Sequence, residues 1–90
     1  MRVFKRSYID KKSGKREPTK RYYVEFYNEH TELRHRLPAY SDKASSEEVG
    51  RRLERLSALA ASKQEPPREL RVWLEALPPS MQKRLLAFAL

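Results

Sequence analysis

The stretch Arg21-Tyr-Tyr-Val-Glu-Phe-Tyr27 is the strongest strand signal in this chain of 90 residues. Most of its residues are aromatic or β-branched, which are the types that strands favour. Because side chains alternate between the two faces of a strand, the stretch has one apolar row and one amphipathic row. The apolar row is Tyr22, Val24 and Phe26, and the amphipathic row is Tyr23, Glu25 and Tyr27. We expect the apolar row to be buried and the other to be exposed.

Two further strands are predicted on either side of this stretch. The first runs from Val3 to Ile9 and is followed by a polar turn that begins at Asp10. The third runs from Leu33 to Leu37, where Leu33, His35 and Leu37 alternate with Arg34 and Arg36, a pattern typical of a half-buried strand that Pro38 ends. The three strands form an antiparallel meander. The first strand has apolar residues on both faces, so the sequence does not decide which face is directed to the core.

The second half of the chain has the spacing of helices. Asp42 is a good N-cap, with Ser45 and Glu48 as an alternative capping box, and an apolar stripe follows at Val49, Leu53, Leu56 and Ala60. This helix fades near 62–65 and is the natural cover for the apolar face of the sheet. Proline pairs then precede two short helices, predicted at 68–77 and 80–90. The predicted fold class is α+β, with a three-stranded antiparallel sheet packed on one long helix, followed by two short C-terminal helices.

We divide the chain into a sheet-plus-helix domain at 1–63 and a helical connector at 64–90. The connector has apolar residues on more than one face of each helix, and the chain stops within an apolar segment that has no polar cap. We therefore expect the connector to lead to a downstream domain that this chain lacks. In the isolated chain, we expect the surplus apolar surface to mediate self-association.

The charge of the chain is concentrated at one end. The net charge is +8, and residues 1–23 alone hold nine basic and two acidic residues, for a net charge of +7. Such a segregated cation attracts polyanions through counterion release. No apolar run is long enough to span a membrane, so we place the chain in the cytosol of a prokaryote.

Several kinds of catalytic and metal site are excluded by composition. There is no cysteine, the two histidines cannot supply a metal site without help from carboxylates, and two glycines cannot build a phosphate-binding loop. Glu47 and Glu48 are adjacent, so on a helix they point about 100° apart and cannot work as an acid and base pair. We expect neither catalysis nor a cofactor.

An exposed sheet face with interleaved arginines and tyrosines favours double-stranded DNA as the partner. Arginine reads guanine in the major groove, and tyrosine and lysine hold phosphates. The basic loop from Asp10 to Lys20 is expected to grip phosphates and to become ordered on binding. The predicted DNA-binding residues are Lys5, Arg6, Lys11, Lys12, Lys15, Arg16, Lys20, Arg21, Tyr23, Tyr27, Arg34 and Arg36.

The layout resembles the N-terminal, arm-binding type of domain in tyrosine recombinases, the phage-integrase family. The similarity lies in Lys20-Arg-Tyr-Tyr-Val-Glu-Phe-Tyr-Asn28, in the arginine-rich third strand, and in Ser41-Asp-Lys-Ala-Ser-Ser46 at the start of a helix. Trp73-Leu-Glu-Ala-Leu-Pro-Pro79 and Leu85-Leu-Ala-Phe88 resemble the connector before the core-binding domain. The resemblance implies accessory DNA binding for a site-specific recombinase, with catalysis in a downstream domain. The turn at 28–31 departs from the family because it lacks a glycine.

Two other functions remain open on the sequence alone. A protein-interaction module would dock a partner through Trp73, Leu85 and Phe88. A small RNA-binding protein would stack single strands on the aromatic residues of the sheet.

Overall fold

A computed structural model describes residues 1–90 and confirms the α+β architecture. The elements are β1 (Arg2–Phe4), β2 (Ser7–Ile9), β3 (Arg16–Pro18), β4 (Tyr23–Asn28), β5 (Leu33–Pro38), α1 (Lys43–Ala61), α2 (Arg68–Ala76) and α3 (Pro79–Ala87). Strands β1, β4 and β5 form an antiparallel sheet in that spatial order, with β4 in the centre. No helix is both long enough and apolar enough to cross a membrane.

The register of β1 answers the question that the sequence left open. Val3 lies opposite Val24, so both side chains are on the face that α1 covers. Arg2 and Phe4 lie opposite Glu25 and Tyr23 and are therefore on the other face.

The predicted first strand from Val3 to Ile9 is wrong in its extent. It divides into β1 and β2, and β2 pairs with β3 in a separate two-stranded ribbon. The loop expected at residues 10–20 thus contains a strand. The ribbon starts where Thr19 donates from its backbone N–H to the Arg6 carbonyl, at 2.8 Å, and accepts from the Arg6 N–H through its side chain, at 3.1 Å. These bonds take the backbone of Arg6 away from the main sheet.

Helix α1 buries three of the four residues of the predicted stripe against β4, and the fourth, Ala60, is half-buried. Val24, Phe26 and Leu53 are fully buried there, and Val49 and Leu56 nearly so. Asp42 is the N-cap and accepts from both the N–H and the hydroxyl of Ser45, so the alternative capping box does not form. These hydrogen bonds lower the pKa of Asp42 below its ordinary value.

Gly50 explains how closely α1 approaches the sheet. A Cβ atom at this position would lie 2.7 Å from Met1 Cγ and 3.1 Å from Val24 Cγ1. Glycine costs a helix interior about 1 kcal/mol relative to alanine. The added atom would also overlap Met1 Sδ, but the exposed Met1 side chain can move, so the contact with Val24 is the one that limits a larger residue here.

The turn between β4 and β5 forms without glycine. Asn28 is fully buried, and its Oδ1 accepts from the backbone N–H groups of His30 and Thr31 at 3.0 and 3.3 Å. Glu32 takes the left-handed conformation, with φ 60°. At the start of β5, Leu33 is 59% exposed, so the prediction that it faces the core is wrong. It pairs with Asn28 at the end of the sheet.

Helices α2 and α3 pack onto the same core as the sheet. Leu70, Leu77, Met81 and Leu85 belong to one buried cluster with Phe26 and Leu37. Both helices are shorter than predicted at their C-terminal ends.

Phe88, at the end of α3, packs on the sheet and is hydrogen-bonded to it. Its ring stacks on His35 with centroids 4.2 Å apart, and its carbonyl accepts from Asn28 Nδ2 at 2.9 Å. The apolar surface that stays exposed on the two helices includes Val72 and Leu86.

We predict that Asn28→Ala lowers the free energy of unfolding by about 1–3 kcal/mol, because it leaves two turn N–H groups and the Phe88 carbonyl without their partner. Urea unfolding followed by circular dichroism measures this. Gln64→Ala removes an exposed amide with no side-chain hydrogen bond and is the control. A loss below about 0.5 kcal/mol, the range of neutral surface changes, would contradict the assigned role of Asn28.

A second prediction concerns the pH dependence of stability. Burial lowers the pKa of His35 below its ordinary value of 6.5. The unfolded chain therefore binds a proton at a pH where folded His35 does not. Stability is fully present above about pH 6.5 and is lost as the pH falls toward the folded pKa. Urea unfolding at several pH values should show this loss, and His35→Gln should reduce it. His30→Gln, in an exposed turn, should retain it; equal slopes in both variants would rule out His35 as the source.

Candidate nucleic-acid interface

The face of the sheet that α1 does not cover is built from rows of residues that cross the three strands. We call it the open face. One row is Arg2, Glu25 and Arg36, the next is Phe4, Tyr23 and Pro38, and a third joins Tyr27 to Arg34. The predicted residues Tyr23, Tyr27, Arg34 and Arg36 thus lie together on one surface.

Aromatic rings on the open face are flanked by arginines. Phe4 and Tyr23 stack with their centroids 6.2 Å apart. The guanidinium carbons of Arg2 and Arg36 lie 4.4 and 5.6 Å from the Phe4 centroid, and that of Arg6 lies 5.2 Å from the Tyr23 centroid. Cation–π contacts of this kind orient the guanidinium groups without neutralising them.

The ribbon of β2 and β3 is a basic projection, which we call the arm. Its turn is closed by hydrogen bonds from the Asp10 N–H to the Lys15 carbonyl, at 2.9 Å, and from the Gly14 N–H to the Asp10 carbonyl, at 2.7 Å. Gly14 takes a φ of 69°, which glycine adopts at little cost. The arm carries four exposed predicted residues, Lys11, Lys12, Lys15 and Arg16.

Three of the predicted residues lie away from both surfaces. The Lys5 ammonium group is 5.0 Å from the ring centroid of Tyr22, whose position alternates with the open face. Lys20 and Arg21 line a shallow cleft with Tyr40 and Ser80, at the junction of the sheet and α3. They belong to the basic end of the chain but not to the open face.

Sequence reasoning missed Arg2 and Phe4 as residues of this surface. Their positions depend on the register of β1, and the alternation of apolar residues from Val3 to Ile9 fits either face. Arg84 of α3 was also missed. It lines a shallow depression with Arg6 and Arg36 at the edge of the sheet. No local signal in the sequence links it to the sheet.

Helix α1 presents a contrasting surface. Each of its arginines has a carboxylate partner: Arg51 lies 3.2 Å from Glu48, and Arg55 lies 3.1 Å from Glu69. Arg52 also pairs with Glu48, at 3.2 Å. On the open face and the arm, by contrast, the basic residues without any carboxylate within 4.0 Å are Arg6, Lys11, Lys12, Lys15, Arg16 and Arg34. The arginines of α1 are thus paired with carboxylates, whereas most basic residues of the open face and the arm are not.

Comparison with known proteins returned no match among protein-family models, curated proteins or solved structures.

Proposed function

We propose that this chain is an accessory module that binds double-stranded DNA through the open face and the arm. The observation that carries the proposal is the difference in charge between two surfaces. All three arginines of α1 pair with carboxylates, whereas on the open face Arg2 and Arg36 share the one carboxylate of Glu25, and the other basic residues of the open face and the arm have none. Cationic side chains that have no carboxylate partner are free to contact DNA phosphates, and each contact releases counterions that were condensed on the DNA.

The shape of the open face suits a duplex. Strands of a sheet fit the major groove, where arginine donates to guanine O6 and N7. Arg34 and Arg36 are exposed on β5, and Tyr27 is exposed on the neighbouring strand, opposite Arg34. The arm extends the basic surface and supplies flexible side chains suited to phosphates.

Two observations favour duplex DNA over the alternative functions. Phe4 and Tyr23 are half-buried and stack on each other, which reduces the aromatic surface on which single-stranded bases could stack. Leu85 is buried, and Trp73 and Phe88 are half-buried, so the apolar docking surface expected of a protein-interaction module is smaller than its sequence suggests.

The resemblance to tyrosine recombinases supports the wider part of the proposal, that the module serves a site-specific recombinase in a prokaryotic cytosol. Catalysis would then belong to a downstream domain joined through α2 and α3, the predicted connector. A reading frame that continues with an Arg…His-x-x-Arg…Tyr pattern would support this parent. A continuation with an unrelated domain would overturn it.

We predict that replacing Arg34 and Arg36 together with alanine weakens duplex binding by about 1–3 kcal/mol for each of the two that reads a base. Fluorescence anisotropy with labelled duplex measures the affinity, and circular dichroism checks the fold. The matched control replaces Arg51 and Arg55 on α1, which removes the same charge from the paired surface. Equal losses of affinity in the two double variants would overturn the assignment to the open face.

We predict a different effect from the arm. Replacing its four basic residues with alanine should flatten the dependence of log K on log salt by about 0.9 for each phosphate that the arm neutralises, while sequence preference stays unchanged. Titrations at several salt concentrations measure the slope. The control removes four unpaired cations elsewhere on the molecule, namely Lys43, Lys63, Arg68 and Lys83. An unchanged slope with a collapsed sequence preference would mean that the arm reads bases.

A further inference from the structure

The open face holds a carboxylate at the place where a DNA-binding surface would ordinarily exclude one. Glu25 lies on the central strand, and its side chain is 13% exposed beneath Arg2 and Arg36, which are 61% and 52% exposed. A negative charge here weakens the attraction for phosphate, so it does not serve general affinity. The effect of Glu25 lies instead in how its carboxylate orients the two arginines.

Each arginine approaches a different oxygen of the Glu25 carboxylate, and each does so through Nε. Arg2 Nε lies 3.1 Å from Oε2, and Arg36 Nε donates a hydrogen bond to Oε1 at 3.4 Å. Neither arginine donates a hydrogen bond through Nη1 or Nη2 within the chain. Because the guanidinium group is planar and its donors are fixed, contact through Nε leaves terminal N–H groups free to meet a ligand.

Phe4 restrains the same two groups from a second direction. Its ring lies beside Glu25 on the open face, with the Arg2 and Arg36 guanidinium carbons both within cation–π distance. An exposed arginine otherwise samples many rotamers, and ordering it on binding costs free energy. Restraint by both a carboxylate and a ring reduces that cost before any ligand arrives.

We infer that Glu25 and Phe4 are positioning residues that hold Arg2 and Arg36 as a pair of guanine-reading forks. The inference rests on the proposed duplex binding and adds which base the duplex must contain. The free terminal N–H groups of an arginine match O6 and N7 of guanine in the major groove. Strands β1 and β5 flank β4 at a spacing of about 4.8 Å each, so the forks stand on either side of the central strand. The preferred ligand is a duplex with guanines at two nearby positions.

The test is selection from a randomised duplex library by the full chain, followed by affinity measurement on the enriched duplex. We expect enrichment of two nearby guanines, and a loss of about tenfold in affinity when 7-deazaguanine removes the N7 acceptor from one of them. Glu25→Gln should weaken both the enrichment and the effect of 7-deazaguanine, because the amide retains one acceptor oxygen in place of two. Its affinity for random duplex should be unchanged or tighter, because a negative charge has been removed.

Two further variants separate positioning from charge and from folding. Glu29→Gln removes a negative charge from the β4–β5 turn, away from the arginine pair, and should keep the guanine preference. Arg2→Lys with Arg36→Lys keeps the charge but lacks the planar fork, and should lose the guanine preference; a double variant that keeps the full preference would overturn the assignment of the forks.

The outcomes distinguish this inference from the proposed function. Duplex binding without guanine preference in the unmodified chain overturns the inference and leaves the proposed function standing. A folded Glu25→Gln variant with the full preference overturns the positioning role. Absence of any duplex binding overturns both.

Discussion

The packing of α1 on one face of β4 is the interaction on which the rest of this structure depends. Val24 and Phe26 are fully buried beneath the helix, and Gly50 permits the two elements to approach closely. In a chain of this length, one buried cluster has to supply most of the favourable free energy of folding. Because the apolar row of β4 is committed to that cluster, the alternating row is left on the opposite surface with its charged and aromatic side chains.

The consequence for function is that the arginines on the surface of α1 and those on the open face have different neighbours. The helix surface carries arginines whose charges are neutralised locally by glutamates. The open face carries arginines that aromatic rings hold, together with the single carboxylate of Glu25. An aromatic ring orients a cation and leaves its charge available to a ligand, whereas a glutamate cancels it. The contrast is one of proportion. Arg2 and Arg36 share one carboxylate and Arg34 has none, whereas every arginine of α1 has a carboxylate partner, including Arg52, which also lies 5.2 Å from the Trp73 ring centroid.

The sequence predicted the parts of the fold in which a single periodic pattern dominates. The alternation around Phe26 identified the central strand and its buried face, and the stripe through Leu53 with the Asp42 cap identified α1. The sequence failed where two faces were equally apolar, from Val3 to Ile9. There the partners are chosen by long-range interactions, so neither the break at Arg6 nor the position of Arg2 on the open face had a local signal.

Strand β4 also connects the C-terminal helices to the open face. Its last residue, Asn28, bonds the end of α3 through the Phe88 carbonyl, and Phe88 stacks on His35 of β5. The division at residue 63 that the sequence suggested is thus crossed by a shared core, which joins residues of α2 and α3 to Phe26. Since Glu25 and Asn28 lie on the same short strand, a force that displaced α3 would act on the strand that positions the arginines. A partner that displaced α3 would, for this reason, also act on the proposed DNA-binding surface.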